Sequence, residues 1–134
     1  MDMIEYIRNS LCEVGNMGYR GVVITGDSES NYCRIVSNFC EVLGLECHIF
    51  MPAHQLTDTM QVINSNRRSK LYGYDPNDME GLRRIAEEHA KKSNLYYGGS
   101  RIFDIGVDRS RADAMSAVYY FHKAKEVLDG IKNR

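Results

Sequence analysis

Two stretches of this chain, residues 21–26 (GVVITG) and 46–52 (ECHIFMP), are apolar nearly throughout. A strand with one wet face alternates apolar and polar residues. A run that does not alternate suits a strand covered on both faces, the condition inside a parallel sheet flanked by helices. Parallel strands cannot be joined by a tight turn, so each needs a crossover, usually a helix. The intervening residues supply one: Tyr32, Val36, Phe39, Cys40 and Leu43 recur at helical spacing, and Gly44 stands where that helix would stop. Ile4, Ile7, Leu11 and Val14 form an earlier helical stripe, ended by Gly15 and Gly18. Two further β-like runs, 69–75 (SKLYGYD) and 94–100 (NLYYGGS), flank a third stripe of Met79, Leu82, Ile85 and Ala86. Asn77 and Glu80 have the spacing of a capping box for that helix, and Pro76 stops the strand before it. Residues 55–68 read as a short helix and a polar turn. A last helix carries Ala114, Val118, Phe121, Leu128 and Ile131, with residues 110–113 placed to cap it. This alternation predicts an α/β fold: a three-layer sandwich, an open parallel sheet of about four strands with helices on both faces, in a single domain over residues 1–134.

Composition narrows the function. Lys plus Arg is 17 and Asp plus Glu is 18, a net charge of −1, which disfavours a general nucleic-acid binder. No apolar run approaches the roughly 18–20 residues of a membrane span, and the acidic start Met1-Asp2-Met3-Ile4-Glu5 is not a signal peptide. A soluble, cytoplasmic chain is expected. The four cysteines, Cys12, Cys33, Cys40 and Cys47, form no C-x-x-C pair and no zinc spacing with histidine. They read as small apolar core residues in a reducing compartment. His48 and His54 read as ordinary strand and surface residues, and no metal site is expected.

On open parallel sheets, ligands bind where a strand's carboxyl end turns into a helix. The strand GVVIT runs into Gly26-Asp27-Ser28-Glu29-Ser30-Asn31 and then into a helix. Unpaired N–H groups at that helix start, with Ser28, Ser30 and Asn31, suit a carboxylate or phosphate. Simple capping by Ser28 or Ser30 accounts for the same residues. Asp27 and Glu29 would repel a phosphate. The second place to look is Gly98-Gly99-Ser100 and Arg101.

The stretch Gly26-Asp27-Ser28-Glu29-Ser30 resembles the nucleophile block of GDSL/SGNH hydrolases, with Ser28 in the nucleophile position. The D-x-x-H block of that family has no counterpart around His89 or His122, so a minimal serine esterase is the third reading of function. A longer resemblance is carried by Ser30-Asn31-Tyr32-Cys33-Arg34, Leu43-Gly44-Leu45 and Cys47. It is similar to the S-N-H-x-R and L-G-L-x-C segments of fold-type II pyridoxal-phosphate enzymes, nearest the D-cysteine desulfhydrase and 1-aminocyclopropane-1-carboxylate deaminase group. A helix, a strand and the turn Gly98-Gly99-Ser100 follow in that family's order, so the likeness runs over residues 3–129. It covers the smaller of the family's two domains.

The resemblance implies that Ser30 and Asn31 touch substrate and the cofactor face; together with the helix-start reading, the expected binding residues are Ser28, Ser30, Asn31, Arg34, Gly98, Gly99 and Ser100, and no catalytic residue is expected in this chain. It implies that Tyr32 replaces the family's usual histidine. None of the lysines Lys70, Lys91, Lys92, Lys123, Lys125 or Lys132 has the family's Schiff-base context. No pyridoxal phosphate is therefore expected on the isolated chain, only if a partner chain supplies lysine and phosphate cradle. The leading expectation is a non-catalytic binding or assembly module for a small anion or amino-acid-like ligand; half of a split lyase or deaminase is second. A homodimer or a large-domain partner is expected. Ile102, Phe103, Ile105, Val107, Tyr32 and Tyr119 are its candidate contact residues.

Overall fold

The computed structural model describes residues 3–52, 56–75, 77–101, 105 and 130. Four helices and four strands alternate: α1 (Met3–Asn16), β1 (Gly21–Thr25), α2 (Asn31–Leu43), β2 (Glu46–Pro52), α3 (Asp58–Ser65), β3 (Ser69–Tyr74), α4 (Met79–Ser93) and β4 (Tyr96–Gly99). The strands form one parallel sheet in the order β3-β2-β1-β4. The expected α/β sandwich is the observed one. Apart from residue 130, the helix expected over 114–131, with Tyr119, lies outside the described residues, as do residues 102–104, residue 107 and His54.

Side chains on successive strand residues point to opposite faces, and the two cores follow that rule. Val22 and Ile24 of β1, with Cys47, Ile49 and Met51 of β2, pack under α1, α2 and α3. Val23 and Phe50 face the other way and pack under Leu82, Ala86 and Ala90 of α4. Phe50 stacks on Tyr72, with ring centroids 4.6 Å apart. Each such residue contributes roughly 1.5–3 kcal/mol on burial, which explains why both central strands lack alternation.

Helix ends follow local chemistry, with one correction. Gly44, at φ 77°, closes α2 in the left-handed region, and its N–H returns to the Cys40 carbonyl. The α4 cap is Asp78, whose Oδ1 accepts from Gly81 N at 2.9 Å, and not Asn77. The Asn77 amide N–H instead donates to Asp75 Oδ1 at 2.9 Å. A carboxylate one residue closer to the helix wins because it meets the helix's positive end with a full charge. Ile85, read as part of the α4 stripe, is 37% exposed, and Cys12 is exposed, unlike the other three cysteines. Ile105 is buried in the α1–α3 core, so it is not an exposed contact residue.

Gly21 has a steric reason to be glycine: a Cβ there would stand 2.0 Å from the Glu46 carbonyl oxygen of the paired strand. We expect Gly21→Ala to destabilise the fold by about 3 kcal/mol, because two backbones must separate. At Gly44 nothing lies within 4 Å of the added Cβ, so Gly44→Ala meets only the left-handed backbone penalty of about 1 kcal/mol. Urea denaturation midpoints of the two variants should differ in that order.

Candidate functional site

β1 reaches its neighbour β2 through α2 on one face of the sheet, while its other neighbour β4 arrives through α4 on the opposite face. The winding therefore reverses at β1, and a crevice opens beyond the carboxyl ends of β1 and β4. The segments 26–31 and 98–100 stand at those two ends, so the sheet places together the two places singled out in the sequence.

The first segment is held by its own short-range bonds. Ser30 caps α2: its Oγ accepts from Cys33 N at 3.1 Å. Asp27 Oδ1 accepts from Glu29 N at 3.0 Å, and the Asp27 carbonyl accepts from Ser30 N at 3.2 Å. A Cβ on Gly26 would lie 2.6 Å from Cys33 Sγ and 2.8 Å from the Ser30 side chain, so the loop closes only over glycine. From outside, Thr57 donates its hydroxyl to the Ser28 carbonyl while accepting from Met60 N at 3.2 Å. Ser28 and Ser30 are half-buried; Asn31 and Arg34 are exposed on the first turn of α2.

Tyr32 joins the two segments. Its hydroxyl donates to the Gly98 carbonyl at 2.8 Å, and the side chain is 7% exposed. This corrects the expectation that Tyr32 is a surface contact residue. A Cβ on Gly98 would meet Ile24 at 3.0 Å, and Gly99 adopts φ 66°, a conformation that favours glycine. Gly98 and Gly99 are buried and Ser100 is half-buried.

Charge divides the crest of the sheet. On the α3 side, Glu29 and Asp58 line a cleft of about 380 Å³ with Leu56, Thr57 and Thr59. On the α4 side, Arg83 and Arg101 line a cleft of about 420 Å³ with Tyr97, Gly99 and Ser100. Thr57, Asp58 and Arg83 were not singled out from sequence. They come from other elements, and only the strand order brings them to the crest.

Two groups with nucleophilic or basic chemistry lie elsewhere in function. Burial pushes the Cys33 thiol up to about 12, against the Ser30 hydrogen bond that lowers it, so it stays a neutral packed thiol. His48 and His89 sit on the α4 face, with His48 Nδ1 2.7 Å from His89 Nε2 and the Phe50 and Tyr72 rings around them. They engage each other, not Ser28, so among the described residues the esterase arrangement has no base. Lys70 is the second residue of β3, and Lys91 and Lys92 end α4, so all three stand at the opposite end of the sheet from the crevice.

No family model and no curated protein matches this chain. Solved structures do. O-ureido-L-serine synthase is 16% identical at a TM-score of 0.57, over 70% of this chain and 31% of its own. A lysine-to-alanine mutant of that enzyme with O-ureido-L-serine bound aligns with a TM-score of 0.55. A hydrogen sulfide-producing enzyme from Fusobacterium nucleatum is 18% identical, over 75% of this chain and 33% of its own, with a TM-score of 0.56. This chain spans about a third of the length of the structures it resembles. The likeness establishes the fold.

Tyr32→Phe should cost about 1–2 kcal/mol, since it leaves the buried Gly98 carbonyl without its donor, and Ser30→Ala about 1 kcal/mol through the lost cap; both are read from thermal unfolding. Burial, and then the neighbouring His89, lower the His48 pKa below its usual 6.5, against the opposing pull of Glu46. The unfolded chain therefore binds the proton first as pH falls. Stability is complete above about pH 6.5 and declines below it, and His48→Gln should flatten that part of the melting-temperature profile.

Proposed function

We propose that this chain is a ligand-binding lobe for a small amino-acid-like molecule, which sits at the carboxyl ends of β1 and β4 and is closed over by a complementary lobe on a partner. The observation that carries the reading is the Tyr32–Gly98 bond, which fixes the β1–α2 loop against the end of β4 at the point where the winding reverses. The structural neighbours, fold-type II pyridoxal-phosphate enzymes that this chain covers by only about a third, support it.

The loop's chemistry selects the ligand class. Asp27, Glu29 and Asp58 stand close to the α2 start, so a bare carboxylate meets repulsion there. A zwitterion brings its own ammonium group to those acids and its carboxylate to the donors of Ser28 and Asn31. Such a lobe binds and orients. Among the described residues no lysine stands at that crevice, in keeping with a lobe that depends on its partner for chemistry. The partner would supply the lysine and phosphate cradle if the assembly is a lyase or deaminase.

The test is a nitrogen-15 NMR titration with L-serine, acetate and methylamine in parallel. We expect the amides of residues 27–31 to shift saturably with L-serine and far less with either half-ligand. Equal shifts with acetate, or none with L-serine, would refute the reading.

A further inference from the structure

We propose that the outer edge of β3 pairs antiparallel with β3 of a second copy of this chain, joining two sheets across a two-fold axis at Tyr72. Among the described residues, β3 is the outermost strand on one side of the sheet and β4 on the other. The two edges differ. β4 has four residues, its register with β1 shifts after Val23, and Gly99 adopts φ 66°. Short strands and irregularities of this kind keep an edge from pairing. β3 instead holds an unbroken register with β2 over six residues, and Lys70 and Gly73 within it are exposed.

The ladder with β2 decides which backbone groups face outward. Cys47, the partner of Ser69, donates its N–H to the Arg68 carbonyl at 2.9 Å. In a parallel ladder this turns Lys70, Tyr72 and Tyr74 toward β2, and the N–H and C=O of Ser69, Leu71 and Gly73 away from it. The Ser69 N–H is already taken by the Asn66 carbonyl at 3.2 Å. Leu71 and Gly73 therefore set the register. With Tyr72 opposite the second copy's Tyr72, each Leu71 stands opposite a Gly73, and the two residues exchange both N–H···O bonds. A register centred on Leu71 would instead set the Gly73 carbonyl against the engaged Ser69 N–H.

The side chains match in the same register. Lys70 meets the second copy's Tyr74, an ammonium against a ring, and the two Tyr72 rings form a cross-strand aromatic pair. An edge lysine often guards a strand against pairing; here it meets a ring and not a like charge. Tyr72 and Tyr74 are half-buried and stack on Phe50, with centroids 4.6 and 5.5 Å away, so little side-chain freedom is lost on pairing. Charge sets the direction. Arg67 and Lys70 are exposed at the start of β3, and Asp75 is exposed at its end, keeping its charge while Oδ1 accepts the neutral Asn77 N–H. Antiparallel pairing brings each basic start to an acidic end, with Arg67 diagonal to Asp75 and within reach of it. Parallel pairing would set like against like. Arg68 stays out of this balance, its guanidinium lying 3.5 Å from the Gly44 carbonyl. The pairing uses the β3 edge of both copies, so the assembly closes as a dimer. Because β2 separates β3 from β1, the crevice beyond β1 and β4 stays open to a different partner.

Light scattering on the whole chain, diluted from millimolar to micromolar, tests this and should show a two-chain mass that falls to one chain on dilution. Gly73→Pro removes an outward N–H and none of the bonds to β2, a position that an edge strand tolerates. One donor is lost from each copy, so the dissociation constant should rise by about tenfold. Arg67→Asp and Asp75→Arg should each weaken the dimer, and the double variant should restore it, which a folding defect would not do. In a Cys12→Ser background, Tyr72→Cys should give a covalent dimer with oxidised glutathione, because opposed residues of a non-hydrogen-bonded pair lie about 4.5 Å apart between Cα atoms. Lys70→Cys, which faces position 74, should not. A one-chain mass at every concentration overturns the proposal. So does a dimer that keeps its affinity in Gly73→Pro, or one that fails to cross-link through position 72.

Discussion

Strand β1 has no face left for water: all five of its residues are buried. It hydrogen-bonds β2 on one side and β4 on the other, and its side chains enter both cores. Everything functional in this chain depends on that double coverage. A strand hemmed in on four sides can emerge only at its ends, so the loop after Thr25 has one direction to take. The helix that follows must start over the α1–α3 face because the other face is occupied by α4. The position of the α2 N-terminus is thus a result of packing, with Ser30 and Gly26 completing it locally.

How much of this was legible in the sequence depends on how local the cause was. The non-alternating runs gave β1 and β2, the helical stripes gave α1, α2 and α4, and Gly44 marked the end of α2, because each signal lies within one element. The α4 cap falls one residue later than the capping-box spacing suggests, since Asn77 and Asp78 are both good caps and the charged Asp78 is the one that accepts from Gly81 N. Ile85 looked apolar and therefore inward, yet the α4 core is made of the smaller Ala86 and Ala90 with Leu82.

The candidate site divides in the same way. Ser28, Ser30, Asn31, Gly98, Gly99 and Ser100 lie on segments that a motif reading reaches, and the strand order puts those segments side by side. The role of Tyr32 was not legible. Its place in the α2 stripe agrees with its burial, but the partner of its hydroxyl, the Gly98 carbonyl 66 residues away, lies beyond any local signal. Thr57, Asp58 and Arg83 were missed for a related reason: each looks like an ordinary polar residue near a helix start until the crossovers bring it to the crest.

Thr57 occupies an unusual junction. One hydroxyl begins α3 by accepting from Met60 N and holds the β1–α2 loop by donating to the Ser28 carbonyl. A single rotor therefore serves two elements, and its two bonds share one χ1 setting. Fraying of the first turn of α3 lets that rotor turn and releases Ser28 with it. The start of α3 and the β1–α2 loop are thereby coupled, and the shape of the candidate site is set partly by the helix that also brings Asp58 to it.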